Sequence, residues 1–284
     1  MKVRKITAAI LVSAFLSLSQ VGACTLFGAN GSEVEGGGTI LVKNRDWHPQ
    51  YQEMRYETGP RYRFYGLYGG NEKKMSLKGG VNEAGLAVFS AAASSIPRRS
   101  RMVMDHSGKS SIREILGSCA SVEDALAMNR YFRGPKFLVI EDAKEMAYVE
   151  IGNHGAYRVK KVTNGVLAHT NHYLFPEFSS LNILGCHSSK TRFSRIEELL
   201  SESHEPYVLD DLMTFSRDHH DGTDDSIWRT GSGARSDETL ASIGLWLHEG
   251  VKPDIFVKIR YAPDDRGRED IYQLEGKDLF PNKN

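Results

Sequence analysis

The chain has 284 residues, with 36 acidic and 36 basic side chains and 40% hydrophobic residues. That balance excludes the strongly basic surface that nucleic acid or an anionic membrane would need, so neither is an expected partner. Past the first two dozen residues no stretch is long and apolar enough to span a bilayer, and the composition is that of a soluble globular protein.

The first element is a leader. Lys2, Arg4 and Lys5 give a positive start, Ala8 to Leu18 is apolar, and Val21-Gly22-Ala23 places small residues at −3 and −1. This is the pattern of a secretory signal peptide over residues 1–23. It leaves 24–284 as one expected domain, exported to a periplasm or to the medium. Cleavage would make Cys24 the first residue, with a thiol and a free α-amine together. The amine titrates at about 7.7–8.0 and the thiol at about 8.5. The amine can therefore take the thiol proton, directly or through one water, and the thiolate can attack a carbonyl. Two other readings of Cys24 stay open. Cysteine is often a small buried hydrophobe. Val21-Gly22-Ala23-Cys24 also reads as a bacterial lipobox, in which the thiol carries lipid. The apolar run Thr25 to Ala29 is strand-like, not a polar tether, and favours a cysteine built into a sheet.

Cys24–Ala29 and Thr39–Trp47 read as a hairpin across the glycine-rich turn 31–38, with Asn44-Arg45-Asp46 folding back beside Cys24. Tyr51 to Tyr68 is aromatic and basic. Its residues Tyr51, Tyr56, Tyr62, Phe64, Tyr65 and Tyr68 suit an apolar acyl pocket and suit a core equally. Two further strands lie in 75–94, punctuated by Gly79-Gly80 and by Asn82-Glu83-Ala84-Gly85. Ser95 to Ser110 reads as a polar loop over a site. Ser110–Cys119 and Ser121–Phe132 read as helices, the second capped by Ser121. Four strands, Lys136–Ile140, Met146–Ile151, Gly155–Lys161 and Gly165–His169, read as a meander. Ser188–Ser201 and Leu209–Arg217 read as helices. Ser226–Arg229, Thr239–Leu247, Asp254–Tyr261 and Asp270–Leu274 read as strands. The sequence of strands, helices and strands implies a layered α+β architecture.

Several residues invite chemistry. Asp46 could orient the new ammonium group, or pair with Arg45 in a turn. Asn82 and Asn171 end β segments, where asparagine serves turns; their amides could also donate to an oxyanion without titrating. His169, His172, His219 and His220 match no closed zinc pattern, and no HExxH is present, so no metal or cofactor is expected. His169 and His172 would pack or hydrogen-bond around the Asn171 turn. Arg192 lies on an amphipathic helix, where an arginine is usually solvated. If Cys24 stays reduced, Cys119 and Cys186 are left free or bridged to each other.

CT at the mature start, NRDW, VNEAGLAV, HTNHYL and SSKTRF, in that order, resemble the N-terminal-nucleophile hydrolases of the choloylglycine hydrolase and penicillin V acylase family. The NRDW and HTNHYL forms are similar to its isopenicillin-N acyltransferase-like branch. The resemblance implies an αββα sandwich, two antiparallel sheets between helical layers, and cleavage of linear amide C–N bonds. It places the nucleophile at Cys24, the amine-orienting aspartate at Asp46, two oxyanion asparagines at Asn82 and Asn171, and an arginine near the nucleophile at Arg192. Where choloylglycine hydrolases carry an arginine three residues before the aspartate, this chain has Lys43, with Arg45 nearby. Lysine does not make bidentate carboxylate contacts, which argues against bile-salt-like recognition. The expected partner is a small N-acyl amide, with no cofactor; a homo-oligomer is compatible with the sequence. The alternatives are an acyltransferase using the same residues and a lipid-anchored, non-enzymatic binding protein with Cys24 modified.

Overall fold

The computed structural model describes residues 22–281 except 72, 105–109, 203–204, 234–235, 250–253, 261–268 and 275, with backbone only over 254–260, 269–272 and at 277. The expected leader lies outside the described residues save for Gly22 and Ala23. The chain opens with β1 (Cys24–Asn30) and β2 (Thr39–Trp47), then β3 (Tyr51–Thr58), β4 (Arg63–Asn71), β5 (Lys74–Asn82) and β6 (Ala87–Ala92). Helices α1 (Arg98–Met104), α2 (Ser111–Ser118) and α3 (Val122–Ala127) follow. Next come β7 (Lys136–Glu141), β8 (Met146–Ile151), β9 (Tyr157–Val162) and β10 (Gly165–His169), and helices α4 (His187–Glu202), α5 (Leu209–Phe215) and α6 (Gly222–Asp225). Strands β11 (Glu238–Leu247), β12 (Asp254–Arg260) and β13 (Glu269–Leu274) and the short α7 (Gly276–Leu279) close the chain.

The strands form two antiparallel sheets, one in the order β10-β1-β2-β11-β12-β13 and one in simple sequence order from β3 to β9. Alternation along each strand sorts its side chains between two cores. From β1 and β2, Leu26 and Leu41 enter the core between the sheets, with Val81, Phe89 and Val139 from the other sheet. Phe27, Ile40 and Val42 point the opposite way, onto α4 and α5 through Ile196, Leu200 and Leu212. On the far side, Val88, Leu138 and Ile140 pack under α2 and α3 through Ile115, Leu116 and Val122. The layers are therefore helix, sheet, sheet, helix: the α+β sandwich. All seven residues of β1 are buried, as a strand covered on both faces requires.

Three local expectations change. Gly165–His169 does not continue the meander. It leaves the sheet of β9 and pairs with β1, Leu26 opposite His169. That crossover delivers the segment after His169 to the head of β1. Part of the polar loop after Ser95 is helical, over Arg98–Met104. Ser226–Arg229 forms no strand and follows the single turn of α6. The Ser121 cap stands as read: its hydroxyl accepts from the Asp124 N–H at 3.1 Å.

Glu141, at the end of β7, is fully buried, and neither carboxyl oxygen has a hydrogen-bond partner among the described residues. Burial, then the neighbouring Asp142 charge, pushes its carboxyl well above the ordinary value of 4.5. Below that value both folded and unfolded chains hold the proton; above it only the unfolded chain releases it, so this group costs stability as pH rises. Glu141→Met is expected to raise Tm at neutral pH by about 2–4 °C for each kcal/mol regained. The gain should shrink as pH falls toward 4.5, and scanning calorimetry across pH checks it.

Candidate active site

Cys24 heads β1 and is 9% exposed. Its cross-strand partner in β2 is Arg45, and Leu26 faces Lys43. The Cys24 N–H donates to Asn171 Oδ1 at 2.7 Å. Upstream, the Ala23 carbonyl accepts from the Asp46 N–H at 3.0 Å, and the Gly22 carbonyl accepts from the Ser94 hydroxyl.

A buried clamp holds this end of β1. Arg192, 1% exposed, donates through Nη1 to the Cys24 carbonyl at 2.7 Å and to Thr25 Oγ1 at 2.8 Å, and through Nη2 to Asn171 Oδ1 at 3.1 Å. Burial pushes its guanidinium down to about 10. Ser189, one helical turn before Arg192, accepts from the Asn171 N–H at 2.8 Å. The i, i+3 spacing puts both residues on one face of α4, toward Cys24. Ser189 Oγ also meets His172 Nδ1 at 2.8 Å. Burial, with His169 next, pushes His172 down to about 4, so it is neutral there near neutral pH. His169 itself is tied to Glu150, Nε2 to Oε1 at 3.1 Å. Both histidines thus brace the Asn171 turn, as expected.

Asp46 is buried, and its Oδ1 accepts from the Thr239 hydroxyl at 2.9 Å. Oδ2 has no hydrogen-bond partner among the described residues. Burial raises the Asp46 carboxyl above its ordinary value, opposed by Arg192 and Arg229. The turn pairing of Asp46 with Arg45 does not form. Neighbours on a strand point to opposite faces: Arg45 crosses the gap between the sheets and donates to Gln52 Oε1 at 2.7 Å. Gly69 permits that crossing, because a Cβ there would stand 2.8 Å from the guanidinium. Lys43 crosses similarly, its ammonium donating to the Lys78 and Ser90 carbonyls at 3.1 and 2.7 Å. Cys24, Lys43, Arg45 and Asp46 line one cleft of about 630 Å³.

Residues 34–254 match the model of the acyl-coenzyme A:6-aminopenicillanic acid acyl-transferase family. The chain belongs to that family. Its fold is that of the N-terminal-nucleophile hydrolases of the choloylglycine hydrolase and penicillin acylase type. Among solved structures it is similar to a mutant conjugated bile acid hydrolase from Clostridium perfringens, at 12% identity and TM-score 0.54, covering 88% of this chain and 92% of that one. It is similar also to the Caenorhabditis elegans ortholog of N-acylethanolamine-hydrolyzing acid amidase, at 15% identity and TM-score 0.52, covering 88% of this chain and all of that one. At such identities the likeness is one of fold. No curated protein matches the chain in sequence.

In this acyl-transferase family member Cys24, Asp46, Asn171 and Arg192 converge, and Asn82 does not join them. Val81 faces the inter-sheet core, so alternation turns Asn82 to the helical side. There its Nδ2 donates to the Leu116 and Cys119 carbonyls at 2.9 and 2.7 Å, and its Oδ1 accepts from Ala84 and Leu86 N–H. Both amide hydrogens are committed, so the oxyanion role is withdrawn. Asn82→Ala is expected to cost about 1–3 kcal/mol of stability through the carbonyls it strands, with kcat of the folded enzyme unchanged; denaturant titration beside turnover checks both halves. Asn171 stays in the site, with one of its two amide hydrogens committed. Its Nδ2 donates to the Ala92 carbonyl at 2.9 Å, while its oxygen takes the Cys24 nitrogen. Arg192 is buried, contrary to the solvated reading.

None of the six aromatics weighed for an acyl pocket lines the cleft. Phe64 lies under α2, Tyr65 lies between the sheets, and Tyr56 is exposed. Cys119 and Cys186 are both free thiols. Sequence reasoning missed Ser189, Thr239 and Lys78. Ser189 left a signal, three residues before Arg192 on the same helix. Thr239 and Lys78 left none, since each is brought in by strands distant in sequence.

Proposed function

We propose that this enzyme cleaves an N-acyl amide through an acyl-cysteine intermediate on Cys24, after export and removal of residues 1–23. The observation that carries the reading is the Cys24 nitrogen, held at 2.7 Å by Asn171 Oδ1 beside the buried Asp46, one of whose carboxylate oxygens is unpartnered. A peptide nitrogen needs only one acceptor. An α-ammonium needs several and a counter-charge, which Asn171 and Asp46 supply.

In the proposed cycle the α-amine takes the thiol proton and the thiolate attacks the amide carbonyl. Arg45, the cross-strand neighbour of Cys24, and Lys43 put two cations beside the developing oxyanion. The ammonium then delivers its proton to the leaving nitrogen, and water releases the acyl group. Lipid anchoring at Cys24 fits poorly with a residue that is 9% exposed at the head of a doubly covered strand.

A second reading, transfer of the acyl group to an acceptor amine by the same residues, is favoured by the matched family's description. A panel of N-acyl amides assayed for free amine tests the proposal. Release that is absent across the panel overturns hydrolysis, and a new amide formed when a competing amine is added selects transfer. Intact-mass analysis of the exported protein tests the start at Cys24: a mass for residues 24–284 supports it, and a lipid adduct on Cys24 sinks it.

A further inference from the structure

The cleft at Cys24 is far more basic than the protein around it. Overall the chain carries 36 acids and 36 bases. The cleft is lined by Lys43, Arg45, Lys74, Lys78, Arg98, Arg101 and Lys136, with Asp46 its one acidic side chain among the described residues. Outside the cleft several basic residues are paired, as Arg63 is with Glu83, Arg158 with Glu177 and Arg195 with Asp218. Lys43, Arg45, Lys74, Lys78, Arg98 and Arg101 make no ion pair with a carboxylate among the described residues.

These cations are not simply a solvated rim. Lys43 is 1% exposed and Arg45 4%. Lys43 has three N–H groups, and carbonyls take two of them. Lys78 lies next along β5, its carbonyl holding Lys43 and its ammonium meeting Ser76 Oγ at 2.6 Å. Lys74 stands four residues further out at the start of β5, and Arg98 and Arg101 bring α1 to the same mouth. Crowding like charges in a low-dielectric cleft is unfavourable unless something of opposite sign enters. Burial first, then Arg45 and Lys43, pushes the Lys78 ammonium down to about 8.

We propose that the substrate carries an anionic group, a carboxylate or a phosphate, on the part that lies along β5, and that Lys78 receives it with Lys74 guiding its entry. This rests on the reading of Cys24 as an amide-cleaving nucleophile and adds the charge class of its substrate. Arg45 and Lys43 act at the reacting carbonyl; Lys78 and Lys74 act on the substrate away from it.

The test is a matched set of amides with one scissile bond and a neutral, carboxylate or phosphate group at the same distance from it. Wild-type kcat/KM should favour an anionic member over the neutral one by about tenfold, the worth of one charge-assisted hydrogen bond. Whichever anion gains more identifies its chemistry. The preference should fall with added salt and as pH rises through about 8, where Lys78 discharges. Lys78→Gln and Lys74→Gln should reduce it to about twofold, with kcat/KM for the neutral amide unchanged. Equal turnover of neutral and anionic amides in the wild type overturns the inference while leaving the amidase reading intact. If no amide is cleaved, titration of Cys24→Ala with succinate and with inorganic phosphate still decides. Binding weakened by Lys78→Gln supports the anion site with the amidase reading lost, and binding of neither anion rejects the site.

Discussion

Cys24→Ser is expected to leave the fold intact and to lower kcat by on the order of 10³-fold or more. The hydroxyl fits where the thiol stands, so no cavity opens and Tm should hold. The chemistry is what fails. A serine hydroxyl is far less acidic than a thiol, and an α-amine with an ordinary pKa near 8 is a weak base for it. The backbone contacts of this residue, to Asn171 through its nitrogen and to Arg192 through its carbonyl, are unchanged by the substitution. Loss of turnover would therefore report on the sulfur alone. Amine release by the purified variant, beside its thermal melt, checks the result; undiminished turnover removes Cys24 from the reaction.

The second large effect is expected at Arg192→Met. The methionine keeps much of the buried stem and removes the guanidinium, which serves three acceptors: the Cys24 carbonyl, Thr25 Oγ1 and Asn171 Oδ1. All three are buried. Stranding them, and withdrawing a cation that offsets Asp46, should cost about 3–5 kcal/mol of stability. In whatever fraction folds, kcat should fall much more than KM rises, because the residue positions the nucleophile and not the substrate. Arg192→Lys is expected to recover some stability and little activity, since an ammonium is a point charge and cannot span donors as a planar fork does. A stable Arg192→Met variant with full kcat would make the clamp dispensable.

Cys24, the proposed nucleophile, was legible as a candidate in the sequence because its signals are local. A small-residue cut site followed at once by a strand-forming run marks Cys24, and alternation in the next strand brings Asp46 back beside it through one hairpin. Arg192 and Asn171 were legible as motif residues, but their burial and contacts were not. An arginine on an amphipathic helix reads as solvated unless one knows that the helix covers the head of β1. Asn82 shows the opposite error. Its residue type suits an oxyanion hole, and only strand register decides that it points to α2 and spends both amide hydrogens on carbonyls.

By itself the sequence determined the layered α+β architecture, because hydrophobic alternation, caps and turn residues act over a few residues, and its motifs carried the family. Only the tertiary structure decided which way each side chain faces and who its partner is. The crossover of β10 from one sheet to the other brings Asn171 to Cys24 across 147 positions, and no short-range pattern encodes a pairing at that separation. The cleft's charge was hidden for the same reason. Its cations come from β2, β5, β7 and α1, each unremarkable in a chain of zero net charge, and only packing the two sheets face to face gathers them around one cysteine.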